Sequence, residues 1–185
     1  MIINNGDVQR SRVNSLKVLF DKPVALADGA AKLERLNSGG SGLNDNSAPT
    51  DASAALGTPT SPDGGLTWVF PVAGGSSFAE HTPSGAPTGS LADGVYRLSL
   101  DPTKVTSNGV PMAAAPEPLT FHRLFGDTNG SKGVNAADYN AFRSTFGKTS
   151  TDPTFNAFFD FDGNGSVNAS DYNQFRSRFG KSLTY

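Results

Sequence analysis

Residues 134–148 and 167–181 are two copies of one segment. Val-Asn-Ala-Ala-Asp-Tyr-Asn-Ala-Phe-Arg-Ser-Thr-Phe-Gly-Lys and Val-Asn-Ala-Ser-Asp-Tyr-Asn-Gln-Phe-Arg-Ser-Arg-Phe-Gly-Lys agree at 12 of 15 positions, differing only at 137/170, 141/174 and 145/178. Such a duplication obliges the chain to build two alike units and pack them together. Each copy reads as a helix: Asn135 or Asn168 is the N-cap, and Asp138 or Asp171 follows three residues later, where a carboxylate suits the helix dipole. Tyr139, Phe142 and Phe146 recur at i, i+3 and i+7, as do Tyr172, Phe175 and Phe179, giving each helix one aromatic stripe. Those stripes are expected to be the core of a small module. Gly147 and Gly180 end the helices as left-handed C-caps. Between the copies, Asp152-Pro153 predicts a short helix carrying Phe155, Phe158 and Phe159 on one face.

Each helix is preceded by a polar loop with a fixed register of oxygens. In residues 160–171, positions 1, 3, 5, 7, 9 and 12 are Asp160, Asp162, Asn164, the Ser166 carbonyl, Asn168 and Asp171, with Gly165 at position 6. That is the spacing by which an EF-hand-type loop offers a calcium ion its about six to eight hard oxygens around a glycine turn. In residues 127–138 the series is Asp127, Asn129, Ser131, the Gly133 carbonyl, Asn135 and Asp138. Here Lys132 takes the glycine position, where a left-handed backbone costs about 1–2 kcal/mol. With two carboxylates against three, and a lysine in the turn, the first loop is expected to bind calcium more weakly than the second. Val134 and Val167, at position 8, are expected to pair one loop with the other and to bury their side chains. From residue 121 onward there are six acidic residues, and five of them fall on ligand positions; only Asp152 is left over.

Residues 121–181 resemble a type I dockerin, on the strength of Asp-x-Asn/Asp-Gly-x-x-x-Val-x-x-x-Asp followed by a helix, given twice over about a third of the chain. The resemblance implies calcium-dependent folding and a protein partner of the cohesin type, bound on the helices. Carried over to this sequence, the partner-choosing positions are Ala136, Ala137, Ala169 and Ser170, with Arg143, Lys148, Arg176, Arg178 and Lys181 supplying charge.

Residues 1–120 are of another kind. Segments 15–20, 32–36, 66–71, 95–100 and 119–122 are short and β-rich, separated by Asp28-Gly29, Asp63-Gly64-Gly65 and Asp93-Gly94, which predicts an antiparallel sandwich. Leu16 and Val18 alternate with Ser15 and Lys17 as a half-buried strand requires. Stretches 37–63 and 74–90 are rich in Ser, Gly, Ala, Pro and Thr and read as long flexible loops. The segments Phe20-Asp21-Lys22-Pro23-Val24 and 91–98 are similar to those of bacterial immunoglobulin-like surface domains. The fold expected is therefore α+β in two domains: residues 1–120 an immunoglobulin-like β-sandwich, and 121–185 a small, all-α, dockerin-like module.

A net charge of −2 points to neither nucleic acid nor a basic membrane-binding surface, and no apolar run reaches membrane-span length. The absence of cysteine leaves calcium as the available staple. Met1-Ile2-Ile3-Asn4 lacks a secretory leader, so the chain is expected to be the C-terminal piece of a longer exported protein, monomeric and located outside the cell or on its surface. No catalytic residues are expected: His81 sits in a Ser/Gly/Pro-rich loop, His122 at the domain boundary, and neither has a partner in sequence. Trp68 lies within an apolar strand and is expected in the core. The functional expectation is a non-catalytic, calcium-dependent docking segment. Its alternatives are a structural adhesion module rigidified by calcium and a carbohydrate-binding appendage of a polysaccharide-degrading enzyme.

Overall fold

The computed structural model describes residues 1–37 and 48–185. Twelve strands precede two helices among them: β1 (Ile2–Ile3), β2 (Ser15–Leu19), β3 (Ala25–Leu26), β4 (Ala31–Asn37), β5 (Thr50–Asp51), β6 (Thr67–Pro71), β7 (Ala79–His81), β8 (Pro87–Leu91), β9 (Gly94–Leu100), β10 (Val105–Ser107), β11 (Val110–Pro111), β12 (Leu119–Arg123), α1 (Ala136–Thr145) and α2 (Ala169–Arg178). All pairings are antiparallel. One sheet runs β1-β2-β6 and the other β12-β9-β4-β5, with β11-β10-β3 and the β7-β8 pair beside them.

The sandwich follows from alternation. In β2, Leu16 and Val18 are buried while Leu19 is 52 % exposed, and opposite them stand Phe70 and Trp68. In the second sheet Leu33 faces Leu98 and Ala31 faces Leu100, and Tyr96 stacks on Phe121 with ring centroids 5.7 Å apart. These residues share one core with Leu91, Val13 and Ile3, and Trp68 packs against it half-buried, its indole N–H donating to the Val24 carbonyl at 3.2 Å. Each of the five strands expected from sequence lies where it was placed, within a residue or two. The loops expected over 37–63 and 74–90 are a different matter. Residues 38–47 lie outside the described residues, but the remainder contains β5, a 3-10 turn at Ser53–Ala55, and the β7-β8 pair. Strand β8, Pro-Thr-Gly-Ser-Leu, has little intrinsic β preference; the burial of Leu91, Ser90 and Thr88 against the sandwich holds it extended.

A second core begins directly after β12. Leu124, Phe125, Val134, Phe142, Phe159, Phe161, Val167, Phe175 and Leu183 form it, and Val95 and Leu36 of the sandwich join it. The two parts also meet through a buried ionic cluster. Arg123, with its side chain 1 % exposed, donates to Asp93 at 2.7 Å and to Glu80 at 2.6 Å. Arg178, from the last turn of α2, reaches the same two carboxylates at 2.7 and 3.1 Å. Asp93 also accepts from the Phe125 backbone N–H at 2.8 Å. Burial raises the Asp93 carboxyl pKa, but Arg123, Arg178 and that N–H outweigh it and hold the group below its ordinary value.

Candidate metal loops and docking face

Both helices open on a capping box. The Asn135 side chain accepts from Ala137 N–H at 2.8 Å while Asn135 N–H donates to Asp138 at 3.0 Å; Asn168 and Asp171 do the same in α2. The second oxygen of each aspartate reaches back to the loop's second residue. Thr128 N–H lies 3.0 Å from Asp138, and Phe161 N–H 2.7 Å from Asp171. Position 12 thus ties the helix start to the loop start, and both aspartates are buried. The helices close alike. Phe146 at φ −60°, ψ 130° precedes Gly147 at φ +81°, and Lys148 N–H returns to the Thr145 carbonyl at 3.0 Å; Phe179 and Gly180 repeat this turn. Its third position needs a positive φ, which is why glycine stands there twice.

In the second loop Asp160 accepts from Asn164 and Gly165 N–H at 3.1 and 2.9 Å, and Gly165 sits at φ +81°. Carboxylate oxygens of Asp160, Asp162 and Asp171 lie within 4.8 Å of one another. Burial is the main influence on Asp160 and Asp171, and it raises both pKa values; backbone N–H bonds oppose it, and the neighbouring carboxylates add to it. Three converging carboxylates, two of them uncomfortable as anions, with the Asn164 and Ser166 oxygens in the same turn, fit a hard divalent cation such as calcium. When bound, the ion supplies the positive charge that the three carboxylates lack among themselves.

The first loop keeps the same frame with fewer charges. Asp127 accepts from Ser131 and Lys132 N–H at 3.0 and 2.9 Å, and Lys132 does hold a left-handed φ of +70°. Its charge is turned out of the loop: the Lys132 ammonium lies 4.0 Å from the centroid of the Tyr185 ring. Ser131 Oγ donates to the Gly133 carbonyl at 3.1 Å, so two expected ligand oxygens are bonded to each other. His122, read from sequence as a boundary residue without a partner, has two. Its Nε2 is 2.7 Å from Asp127, and its Nδ1 is 3.0 Å from the Tyr185 hydroxyl. A pair five residues apart at the start of a loop was a signal available in the sequence; the contribution of Tyr185 was not.

The loops do not pair with each other as expected. Val134 exchanges hydrogen bonds with Gly180 and Lys181, and Val167 with Gly147 and Lys148, at 2.8–3.0 Å. Each loop is therefore zipped to the turn behind the other repeat's helix. Both valines are buried, as foreseen. The segment after Pro153 also differs from expectation. Asp152 caps the Thr149 turn, accepting from its N–H at 2.8 Å, and only a 3-10 turn at Ala157–Phe159 forms, capped by Asn156. Phe159 is buried, Phe155 partly so.

Phe142 and Phe175 stack at 4.9 Å in the middle of the module, both 1 % exposed. The outer members of the stripes are not core: Tyr139, Phe146 and Phe179 are 37, 49 and 49 % exposed, and Tyr172 is half-buried beside them. These outer rings pair at the two ends of the helix contact, Tyr139 with Phe179 at 6.1 Å and Phe146 with Tyr172 at 6.3 Å, where no further element covers them among the described residues. Around these rings Arg143 and Arg176 are exposed, as are Ala136, Ala137, Ala169 and Ser170 at the helix starts; Lys148 and Lys181 are half-buried. Arg178, grouped by sequence with the partner-facing charges, is turned inward: its side chain is 12 % exposed and bound to Asp93 and Glu80. Asp93 and Glu80, which make that contact, carry only turn and loop signals in the sequence.

Residues 125–179 match the family model described as the dockerin type I domain. Two solved structures are similar to this chain: an N-terminal and a C-terminal interface mutant of a type II cohesin–X–dockerin complex from Acetivibrio cellulolyticus. They have 12 and 14 % identity, and each comparison covers 91 % of this chain and 97 % of the matched one. Both have a TM-score of 0.30, too low to establish a common overall fold. No curated protein matches. The duplicated loop-helix unit at the end of this chain is a type I dockerin-like module.

Proposed function

We propose that this chain is the calcium-dependent docking segment of a larger extracellular protein, with two calcium loops, the second tighter than the first, and a cohesin-type partner bound on the exposed faces of α1 and α2. The observation that carries this reading is the convergence of Asp160, Asp162 and Asp171 within 4.8 Å in a loop whose register is repeated at residues 127–138. In the first loop the holders would be Asp127, Asn129, the Gly133 carbonyl, Asn135 and Asp138, with Ser131 drawn to Gly133. The docking surface would combine Tyr139, Phe146, Tyr172 and Phe179 with Arg143, Arg176, Lys148 and Lys181, and small residues at 136, 137, 169 and 170 would permit close approach of a partner. Near identity of the two helices supports binding in either of two orientations. Residues 1–120, with their immunoglobulin-like β-sandwich, would serve as the platform that carries the module.

Calorimetric titration of calcium into chelator-treated protein, with circular dichroism in parallel, tests the metal half. Binding accompanied by a gain in helix and largely lost in Asp160→Ala is the expected result; no heat up to millimolar calcium refutes it. Capture of a cohesin domain in calcium but not in chelator tests the partner half. Calcium binding without capture of any cohesin would favour the structural adhesion reading instead.

A further inference from the structure

Residues 8–13, between β1 and β2, run along the junction between sandwich and module as a strap with bends at Val8 and Ser11. Gln9, Ser11 and Val13 are buried, at 3, 0 and 0 % exposure. At its far end the strap is fixed to the sandwich: Val13 N–H donates to Ser90 Oγ at 2.9 Å, and Leu91 N–H to the Val13 carbonyl at 3.0 Å. At its near end it touches the first residue of each metal loop. Arg10 N–H donates to the Asp127 carbonyl at 2.8 Å, and the Arg12 guanidinium donates to the Asp160 carbonyl with Nη1 and to the Thr88 carbonyl of β8 with Nη2, the latter at 2.5 Å. Ser11, between them, donates through Oγ to the Phe158 carbonyl at 2.6 Å and accepts Gly126 N–H at 2.8 Å. Gly130, inside the first loop, lies so close to the strap that a Cβ there would clash with the Val8 carbonyl oxygen.

Arg10 and Arg12, two residues apart in one segment, thus hold the position-1 backbone of two loops that are 33 residues apart. Arg12 is itself held in place, its backbone N–H and carbonyl both bonded to the Gln9 side chain at 3.0 and 2.9 Å. Its guanidinium also feels the charges of Asp160, Asp162 and Asp171, which oppose the effect of its burial. Two roles for such an arginine are chemically distinct. As a counter-charge it would compete with a cation; as a fork bridging two carbonyls it would keep the loop in a binding-ready shape.

We propose that Arg10, Ser11 and Arg12 are positioning residues for both calcium loops, so that calcium binding by the module and the stability of the β-sandwich are reciprocally linked through the strap. This rests on the calcium reading above. The linkage is thermodynamic: whatever the strap does to calcium affinity, calcium does to the folded state of the element on which the strap is anchored.

The test uses the full chain. Arg12→Lys keeps the charge and loses the two-carbonyl bridge; Arg12→Gln removes the charge. Calcium affinity is measured by calorimetry, and sandwich unfolding in urea is followed by the fluorescence of Trp68, the only tryptophan, with calcium and with chelator. The expected result is that calcium raises the Trp68 unfolding midpoint of the wild type, and that Arg12→Lys weakens the tighter calcium step about tenfold and shrinks that rise. Unchanged affinity in Arg12→Lys with tighter binding in Arg12→Gln would show a counter-charge and overturn the proposal. So would a wild-type midpoint indifferent to calcium, although the protein binds the ion. Should Arg12→Lys fail to fold, Ser11→Ala, which removes one hydroxyl, is expected to weaken binding about threefold, and unchanged affinity there overturns it equally. A wild type that takes up no calcium at all refutes the calcium reading rather than the strap.

Discussion

Replacement of Asp93 by alanine should be among the most damaging single changes in this chain. The carboxylate serves Arg123 at 2.7 Å, Arg178 at 2.7 Å and the Phe125 backbone N–H at 2.8 Å, in a cluster where the Arg123 side chain is 1 % exposed. Its removal leaves Arg123 with Glu80 as its one carboxylate, shared with Arg178, beside the Ser11 carbonyl at 3.0 Å, and breaking a buried pair from one side costs about 3–5 kcal/mol. The Phe125 N–H is orphaned as well, a loss of about 1–3 kcal/mol that overlaps with the first because water enters the same space. We expect about 4 kcal/mol in all. For a chain of 185 residues, where each kcal/mol moves the midpoint by about 2–4 °C, that is a fall in Tm of about 8–16 °C. Arg178→Ala should cost only about 1–2 kcal/mol, because Asp93 keeps Arg123 and Phe125. The double variant should be milder than the sum. Urea unfolding, read by Trp68 fluorescence for the sandwich and far-ultraviolet circular dichroism for the helices, measures both. A loss below about 1 kcal/mol in Asp93→Ala would refute the reasoning and reduce the cluster to the level of a surface ion pair.

In chelator, stability should depend on pH with two opposite slopes. Asp160 and Asp171 have raised carboxyl pKa values in the folded state, so the folded chain takes up their protons first and gains stability as pH falls from 7 through those values; Asp93 is held low, so its contribution is lost as pH drops below about 4. A thermal melt series from pH 7 to 3 that declines monotonically would contradict this. Lys132→Gly relieves a left-handed backbone worth about 1–2 kcal/mol but gives up the contact with Tyr185 worth about 0.5–1 kcal/mol, so stability should change little while first-loop calcium affinity rises, as calorimetry would show. Phe142→Ala empties a site 1 % exposed and ringed by Phe146, Phe159, Tyr172 and Phe175, at a cost of about 3–5 kcal/mol, and should abolish the helical signal at calcium concentrations that restore it in the wild type.

The module was far more legible in the sequence than the junction that holds it. Capping residues, turn glycines and loop oxygens act within a dozen positions of one another, so Asn135, Asp138, Gly147 and their counterparts could be placed by spacing alone. The same locality found the long strands with clear alternation, and it failed where pairing partners are distant. Arg178 meets Asp93 across 85 residues, and Arg12 meets Asp160 across 148; neither leaves a mark in local pattern. The aromatic stripes were misjudged for a related reason: period alone cannot tell a position facing the partner helix from one at the edge of a two-helix contact.

Reciprocal zipping of each loop onto the other repeat's turn decides where this module can be cut. The last residues are an integral part of the first loop. Leu183 N–H donates to the Lys132 carbonyl at 2.7 Å, Gly133 bridges Ser182, and Tyr185 covers Lys132. A chain ending at Phe179 would retain all twelve first-loop positions in its sequence and yet lose the segment against which that loop is shaped. The second loop, zipped to Gly147 and Lys148, would keep its own. Neither repeat is a self-sufficient unit: the turn behind each helix lines the other repeat's loop, so a cut between the repeats parts each loop from the turn that shapes it.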